Sequence, residues 1–272
     1  LAHQQFGRLT WQSLVAPAVQ LAAEGFPIDS SLATSLNGWI KRLGDFPEAR
    51  RVYSKSDGSP WQAGERLVQP ELAKTLRLIA DCGPDAFYCG AIADQIVAEM
   101  QAGGGLISKS DLAGYQAHLR WPVHGTYRGY EVFGPPPPSS GGIALVEMLN
   151  VLETFDLAKK KRESAEGTHL FVEAMRRAYF DRARFAGDPA FTDVPVARLT
   201  SKEYAREQAA GIDPHKATRS DELGRELLTK AEGESTTHFS VVDSAGNAVS
   251  NTYTLQDSYG SRVVVRGAGF LL

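Results

Sequence analysis

Long hydrophobic runs are missing from this sequence. The most apolar stretch, residues 142–146, is interrupted by Glu147, far short of the ~20 residues that a membrane-spanning helix needs, so no part of the chain is expected to cross a bilayer. Cysteine is scarce. Cys82 and Cys89 stand seven apart, a spacing that fits no zinc or redox motif, and they read as free small apolar side chains rather than a disulfide. An excess of either charge is absent too: 29 Lys and Arg against 32 Asp and Glu give a formal net charge of −3, which argues against nucleic acid or an anionic membrane as partner. The six histidines, at 3, 118, 124, 169, 215 and 238, form no HExxH and no i, i+4 pair, so no metal is expected. The glycines at 103–105 and 141–142 match no phosphate-binding fingerprint, and no GxSxG elbow occurs.

What is present has the make-up of a globular protein. The 272 residues, 43% hydrophobic and 22% charged, suffice for one large α/β domain or two small ones without disulfide or metal staples. The chain begins Leu1-Ala2-His3-Gln4, without Met or signal peptide, and stops on the apolar Gly269-Phe270-Leu271-Leu272. Both ends raise the expectation of a fragment, so the missing targeting signal gives no compartment.

Trp11, Leu14, Val15, Ala18, Leu21 and Ala22 predict a helix over 10–25 that turns this face to the core, stops at Gly25, and kinks or restarts at Pro17. Residues 44–66 are polar and carry Asp57-Gly58-Ser59-Pro60, the marks of an exposed loop. Helices are predicted from Pro70 to Gly83 and from Pro84 to the glycines at 103–105. Val123, Tyr127, Tyr130, Val132 and Phe133 around Arg128-Gly129 predict strands. The following Pro/Ser/Gly run joins elements, with Ser139-Ser140 as a rigid corner beneath a helix N-cap. Helices follow over 142–154, 166–186 and 201–210, the second with an i, i+4 pairing of Arg177 and Asp181. Residues 213–235 read as a polar surface segment open to cleavage or rearrangement. Alternation then predicts a β-hairpin, 237–243 and 248–255 about Ser244-Ala245-Gly246-Asn247, and a third strand over 262–265. Helices first and sheet last, without βαβ alternation, point to an α+β layered fold.

Chemistry concentrates at Glu234-Ser235-Thr236-Thr237-His238-Phe239-Ser240. A threonine hydroxyl is a weak nucleophile that needs a base, and at a chain terminus its own α-amino group, with a pKa of about 8, supplies one. A strand-opening threonine behind a cleavable segment meets that requirement, while β-propensity alone also places threonines at strand starts.

Thr236-Thr237-His238-Phe239-Ser240-Val241-Val242-Asp243, then Gly246-Asn247-Ala248-Val249-Ser250, Tyr253-Thr254-Leu255, Tyr259-Gly260-Ser261 and Gly267-Ala268-Gly269-Phe270-Leu271-Leu272 resemble the start of the small subunit of the γ-glutamyltranspeptidase family. Trp11 with Pro17-Ala18, Glu24-Gly25-Phe26, Phe87-Tyr88-Cys89-Gly90, Gly103-Gly104-Gly105-Leu106, Pro136-Pro137-Pro138-Ser139-Ser140-Gly141-Gly142 and Gly187-Asp188-Pro189 are similar to its large subunit. The resemblance implies an N-terminal-nucleophile hydrolase with a four-layer αββα sandwich, incomplete in this fragment. Residues 1–235 would belong to the large subunit and 236–272 to the small, both from one inactive precursor and joined as a heterodimer.

By that resemblance Thr236 attacks the Ser235 carbonyl to cleave the precursor and then serves as the catalytic nucleophile, with Thr254 as the second threonine that orients it. The donor would be a γ-glutamyl compound such as glutathione, and the acceptor water or the amine of an amino acid or dipeptide. Neither metal nor organic cofactor is implied, and the location would be periplasmic or secreted. Gln256 stands where well-studied members carry a substrate-holding Asn, one methylene shorter. Arg262 and Arg266 replace Gly and Pro, as solvent-facing residues or as substrate contacts. Gln256 keeps open a related amidase, either glutaryl-cephalosporin acylase-like or like a poly-γ-glutamate capsule transferase. A non-catalytic homologue is the rival from another class.

Overall fold

The computed structural model describes residues 1–160, 164–224 and 236–272. The chain divides into two units, the first made of Leu1–Ala117 with Gly233–Leu272 and the second of His118–Glu232.

In the first unit, α1 (Ala2–Phe6) precedes α2 (Trp11–Glu24), which Thr10 caps by accepting the Ser13 N–H and which runs through Pro17 without ending. The Trp11 indole N–H donates to the Ile79 carbonyl at 2.9 Å. That bond fixes the rotation of α2, so its inward stripe is Trp11, Val15, Val19 and Ala22, while Leu14, Ala18 and Leu21 lie on open surface instead of the core predicted for them. Next come β1 (Phe26–Pro27), α3 (Ser30–Lys41), α4 (Pro47–Tyr53) and β2 (Arg66–Leu67), the two short strands pairing antiparallel. The stretch predicted as loop over 44–66 thus contains a helix. Pro47 opens it, and its buried Ala49 and Tyr53 give a short segment the packing that its polar composition hid.

Helix α5 (Pro70–Cys82) ends at Gly83 as predicted. The helix predicted after Pro84 is two, α6 (Asp85–Tyr88) and α7 (Ala91–Gly103), broken at Cys89-Gly90, and α8 (Lys109–Gly114) follows with a capping box from Ser108 and Asp111. Cys82 and Cys89 are free, and both are exposed.

The second unit opens with a hairpin, β3 (Val123–Tyr127) and β4 (Tyr130–Gly134). Its turn residues Arg128 and Gly129 both have positive φ, 50° and 84°, the geometry that matches strand twist. Helix α9 (Gly141–Glu153) packs on this hairpin so closely that a Cβ on Gly134 would meet the Cα of Gly142 at 2.6 Å. Ser140 holds the N-cap position, but its hydroxyl accepts from Arg182 Nε at 2.6 Å instead of capping. Helices α10 (Ala165–Phe185), α11 (Val196–Leu199), α12 (Lys202–Ala210) and α13 (Ser220–Leu223) complete the described part of the unit. The predicted polar segment over 213–235 lies partly outside the described residues.

Five polar side chains, Glu147, Asn150, Glu173, Arg177 and Asp181, are buried among α9 and α10. Arg177 pairs with Glu173 at 2.6 Å, one turn toward the N-terminus. Asp181 instead accepts from the Tyr204 hydroxyl at 2.5 Å, so the predicted Arg177–Asp181 pair does not form. Arg177 lies between Glu173 and the C-terminal end of α12, where Gln208 and Gly211 offer carbonyls at 3.0 and 2.7 Å.

The chain returns to the first unit as β5 (Thr237–Val242) and β6 (Ala248–Tyr253), an antiparallel hairpin at the predicted place. The third strand predicted over 262–265 is a single bridge, Val264 to Leu271, because the chain doubles back through Gly267 and Gly269 at φ of 76° and 75°. Its alternation is real and serves two cores: Val264 joins Ile28, Leu36, Trp39 and Leu67, while Val265 and Ala268 join Ala86, Ile92 and Ile96. Mixed helix and antiparallel sheet is the α+β class expected.

Candidate active site

The site is built on the β5–β6 hairpin. Asp243 sets the turn, its Oδ1 accepting the N–H groups of Ala245 and Asn247 and its Oδ2 the Asn247 amide. Gly246 supplies the positive φ of 83° that the reversal needs. This pins a register in which Thr237 faces Tyr253 and Ser240 faces Ser250. The ladder ends at Thr237 and Tyr253, and Thr236 and Thr254 are the residues that flank it at the open end of the hairpin. Both are exposed. The Thr254 hydroxyl accepts the Gln256 N–H at 3.0 Å, and Gln256 itself has a φ of 73°. A left-handed backbone is costly for a residue with a side chain, and it turns the chain sharply just past the second threonine. Ser235 lies outside the described residues.

Strand alternation places Thr236 on the face that also carries His238, Ser240, Ser250 and Thr252. These four are one network: His238 Nδ1 lies 2.6 Å from the Thr252 hydroxyl, and its Nε2 is 3.3 Å from Ser240 and 3.2 Å from Ser250. Sequence reading missed this cluster. The signal was there in the i, i+2 spacing of His238 and Ser240 facing the same spacing in Ser250 and Thr252.

Arg262 and Arg266 are exposed, and both line a cavity of about 330 Å³ with Asp45, Glu99, Met100 and Val264. No residue of the hairpin lines that cavity. Arg262 sits at φ 69°, a position that favours glycine. Among the described residues no group of three or more His, Cys, Asp or Glu side chains is arranged to hold a metal ion, and no helix is long and apolar enough to cross a membrane.

The arrangement can present a threonine hydroxyl at a strand start beside a second hydroxyl. The γ-glutamyltranspeptidase family model matches residues 1–272. The chain belongs to the γ-glutamyltranspeptidase family. The glutathione hydrolase proenzyme of Escherichia coli (strain K12) is 44% identical over 272 residues, which cover all of this chain and 47% of that protein. The Acylase ACY 1 proenzyme of Pseudomonas sp. (strain SE83) is 41% identical over 267 residues, 98% of this chain and 47% of that protein. The crystal structure of Helicobacter pylori γ-glutamyltranspeptidase matches with a TM-score of 0.79 at 35% identity, covering 86% of this chain and 67% of that one. The chain therefore spans about half the length of the curated relatives it matches, and its fold is that of the family.

Proposed function

We propose that this chain is part of a self-processing threonine-nucleophile enzyme that cleaves γ-glutamyl amide bonds, with glutathione among its donors. The hairpin register, whose last pair Thr237 with Tyr253 immediately precedes Thr236 and Thr254 at its open end, supports the proposal. In the first reaction the Thr236 hydroxyl adds to the Ser235 carbonyl and the peptide nitrogen leaves as the new α-amine. Water then hydrolyses the Ser235–Thr236 ester and frees the threonine hydroxyl. In turnover that amine takes the hydroxyl proton as Oγ attacks the γ-amide and returns it to the leaving amine. The γ-glutamyl ester then passes to water or to the amine of an amino acid or peptide. In this reading Thr254 would hold Oγ in line, and Gln256, two residues further on, would meet the glutamyl end of the donor.

The two portions on either side of the cut would stay together as a heterodimer. Val264, Val265 and Ala268 complete cores otherwise built from residues 28–96. Tyr259 stacks on Trp39 at 4.1 Å between ring centroids and bonds Ser35 at 2.7 Å, and Thr75 donates to the Ala268 carbonyl at 2.8 Å. The periplasmic or secreted location belongs to this reading through the family resemblance alone, and cell fractionation tests it.

Hydrolysis of a γ-glutamyl anilide by the whole protein, lost in Thr236→Ala, is the test of the activity. The 41% identity to an acylase supports a second reading, an amidase for glutaryl side chains. Faster turnover of a glutaryl anilide than of the γ-glutamyl one would select it.

A further inference from the structure

The first unit contains a cavity that the proposed chemistry does not use. Its 330 Å³ or so is enclosed by the start of α4 with Asp45 before it, by the C-terminal end of α7, and by the chain beyond the hairpin from Arg262 to Arg266. Small-molecule sites begin at about 300 Å³. The apolar part of the lining includes Phe46, Met100 and Val264. Gly105 leaves room for Met100, since a Cβ there would collide with the Met100 sulfur. The rest of the lining is charged, and the charges balance. Arg51 neutralises Glu48 at 2.5 Å. That leaves two carboxylates, Asp45 and Glu99, and two guanidinium groups, Arg262 and Arg266. Among the described residues none of these four side chains forms an ion pair, and the single hydrogen bond to any of them is the Arg266 backbone N–H donated to Glu99 Oε2 at 3.4 Å. A simple anion entering the cavity would be opposed by the carboxylates and a simple cation by the guanidinium groups, whereas a molecule carrying both charges meets a complement for each. Arg262 also holds its place at a left-handed φ of 69°, the kind of backbone strain that collects at ligand clamps.

We propose that this cavity binds a zwitterion, a free amino acid or dipeptide with an apolar side chain, its carboxylate on Arg262 and Arg266 and its ammonium on Asp45 and Glu99. The negative end of the α7 dipole adds to the pull on the ammonium. The apolar side chain lies against Met100 and Val264. Arg262, Val264 and Arg266 follow Thr236 in the chain, and Asp45, Glu99 and Met100 precede it, so the bound ligand touches both sides of the proposed cut and ties them together. Binding itself needs neither the cut nor the Thr236 hydroxyl.

Methionine-methyl NMR of the whole protein reads this locally, with leucine and glycyl-leucine as probes and Thr236→Ala as the background, so that no γ-glutamyl group passes to the peptide. The Met100 resonance, assigned through Met100→Leu, should shift saturably, while those of Met148 and Met175, in the second unit, stay in place. The probe that binds more tightly tells a free amino acid from a dipeptide as the natural occupant. Acetylating the ammonium or amidating the carboxylate should weaken binding about tenfold or more, as should Glu99→Gln and Arg266→Ala, since each removes a charge-assisted bond. Arg262→Gly should do the same while relieving the strained φ, so its loss of binding cannot be put down to unfolding. No saturable shift at Met100, full affinity for either blocked probe, or unchanged affinity in Arg262→Gly and Arg266→Ala would overturn the proposal. A parent protein that binds at Met100 yet hydrolyses no γ-glutamyl anilide would keep this site and refute only the proposed activity.

Discussion

The β5–β6 hairpin and the α9–α10–α12 helices treat polar side chains in opposite ways. On the hairpin, His238, Ser240, Ser250 and Thr252 bond one another on exposed strands beside Thr236 and Thr254. Water can replace any of those bonds, so they set orientation and add little stability. In the helices, Glu173, Arg177 and Asp181 are buried, and each lost partner leaves an uncompensated group. Substitution should therefore change chemistry at the first region and folding at the second.

The largest effect tests the first half of that contrast. Thr236→Ala should abolish γ-glutamyl anilide hydrolysis completely while moving unfolding free energy by no more than about 0.5 kcal/mol, as for an ordinary surface position. A large stability loss would erase the distinction.

The bundle comes next. Glu173→Gln breaks the pair with Arg177, whose side chain is 4% exposed, and should cost about 3–5 kcal/mol in urea unfolding. Acid should do the same to the parent protein. Burial pushes the Glu173 carboxyl up, but hydrogen bonds from Thr218 and the Arg177 charge outweigh it and hold it below its ordinary value. That stability is present above the unfolded-chain value and is lost as pH falls through the depressed one.

Thr254→Val should lower turnover about 10–100-fold through misplacement of Oγ, with little change in thermal stability. Equal losses in rate and stability would make Thr254 a packing residue. The smallest effect should be a gain: Arg262→Gly relieves a left-handed φ of 69° and should stabilise the protein by about 1 kcal/mol, measured by urea midpoint.

Much of the fold could be read from the residues, and the reasons are local. Gly25, Pro70, Gly83 and the Arg128-Gly129 turn punctuate their elements by backbone preference alone, and each lies where expected. The hairpin was legible because alternation and the turn chemistry of Asp243 to Asn247 agree. Failures came where a distant partner decides. The Trp11 bond to Ile79 rotated α2 away from Leu14 and Leu21. Tyr204, from a different helix, claimed Asp181 before Arg177 could. Packing of Ala49 and Tyr53 made a helix of polar residues in α4. At the candidate site Thr236, Thr254 and Gln256 followed from the family resemblance, whereas the His238 network needed a strand register that only the folded hairpin fixes.

The central claim is that Thr236 makes its own chain terminus. Intact-mass analysis of the purified whole protein tests it most directly. The expected result is two fragments, the smaller with Thr236 as its first residue, and a single uncut chain for Thr236→Ala. A cut at any other bond, or an unchanged cut in Thr236→Ala, would contradict it.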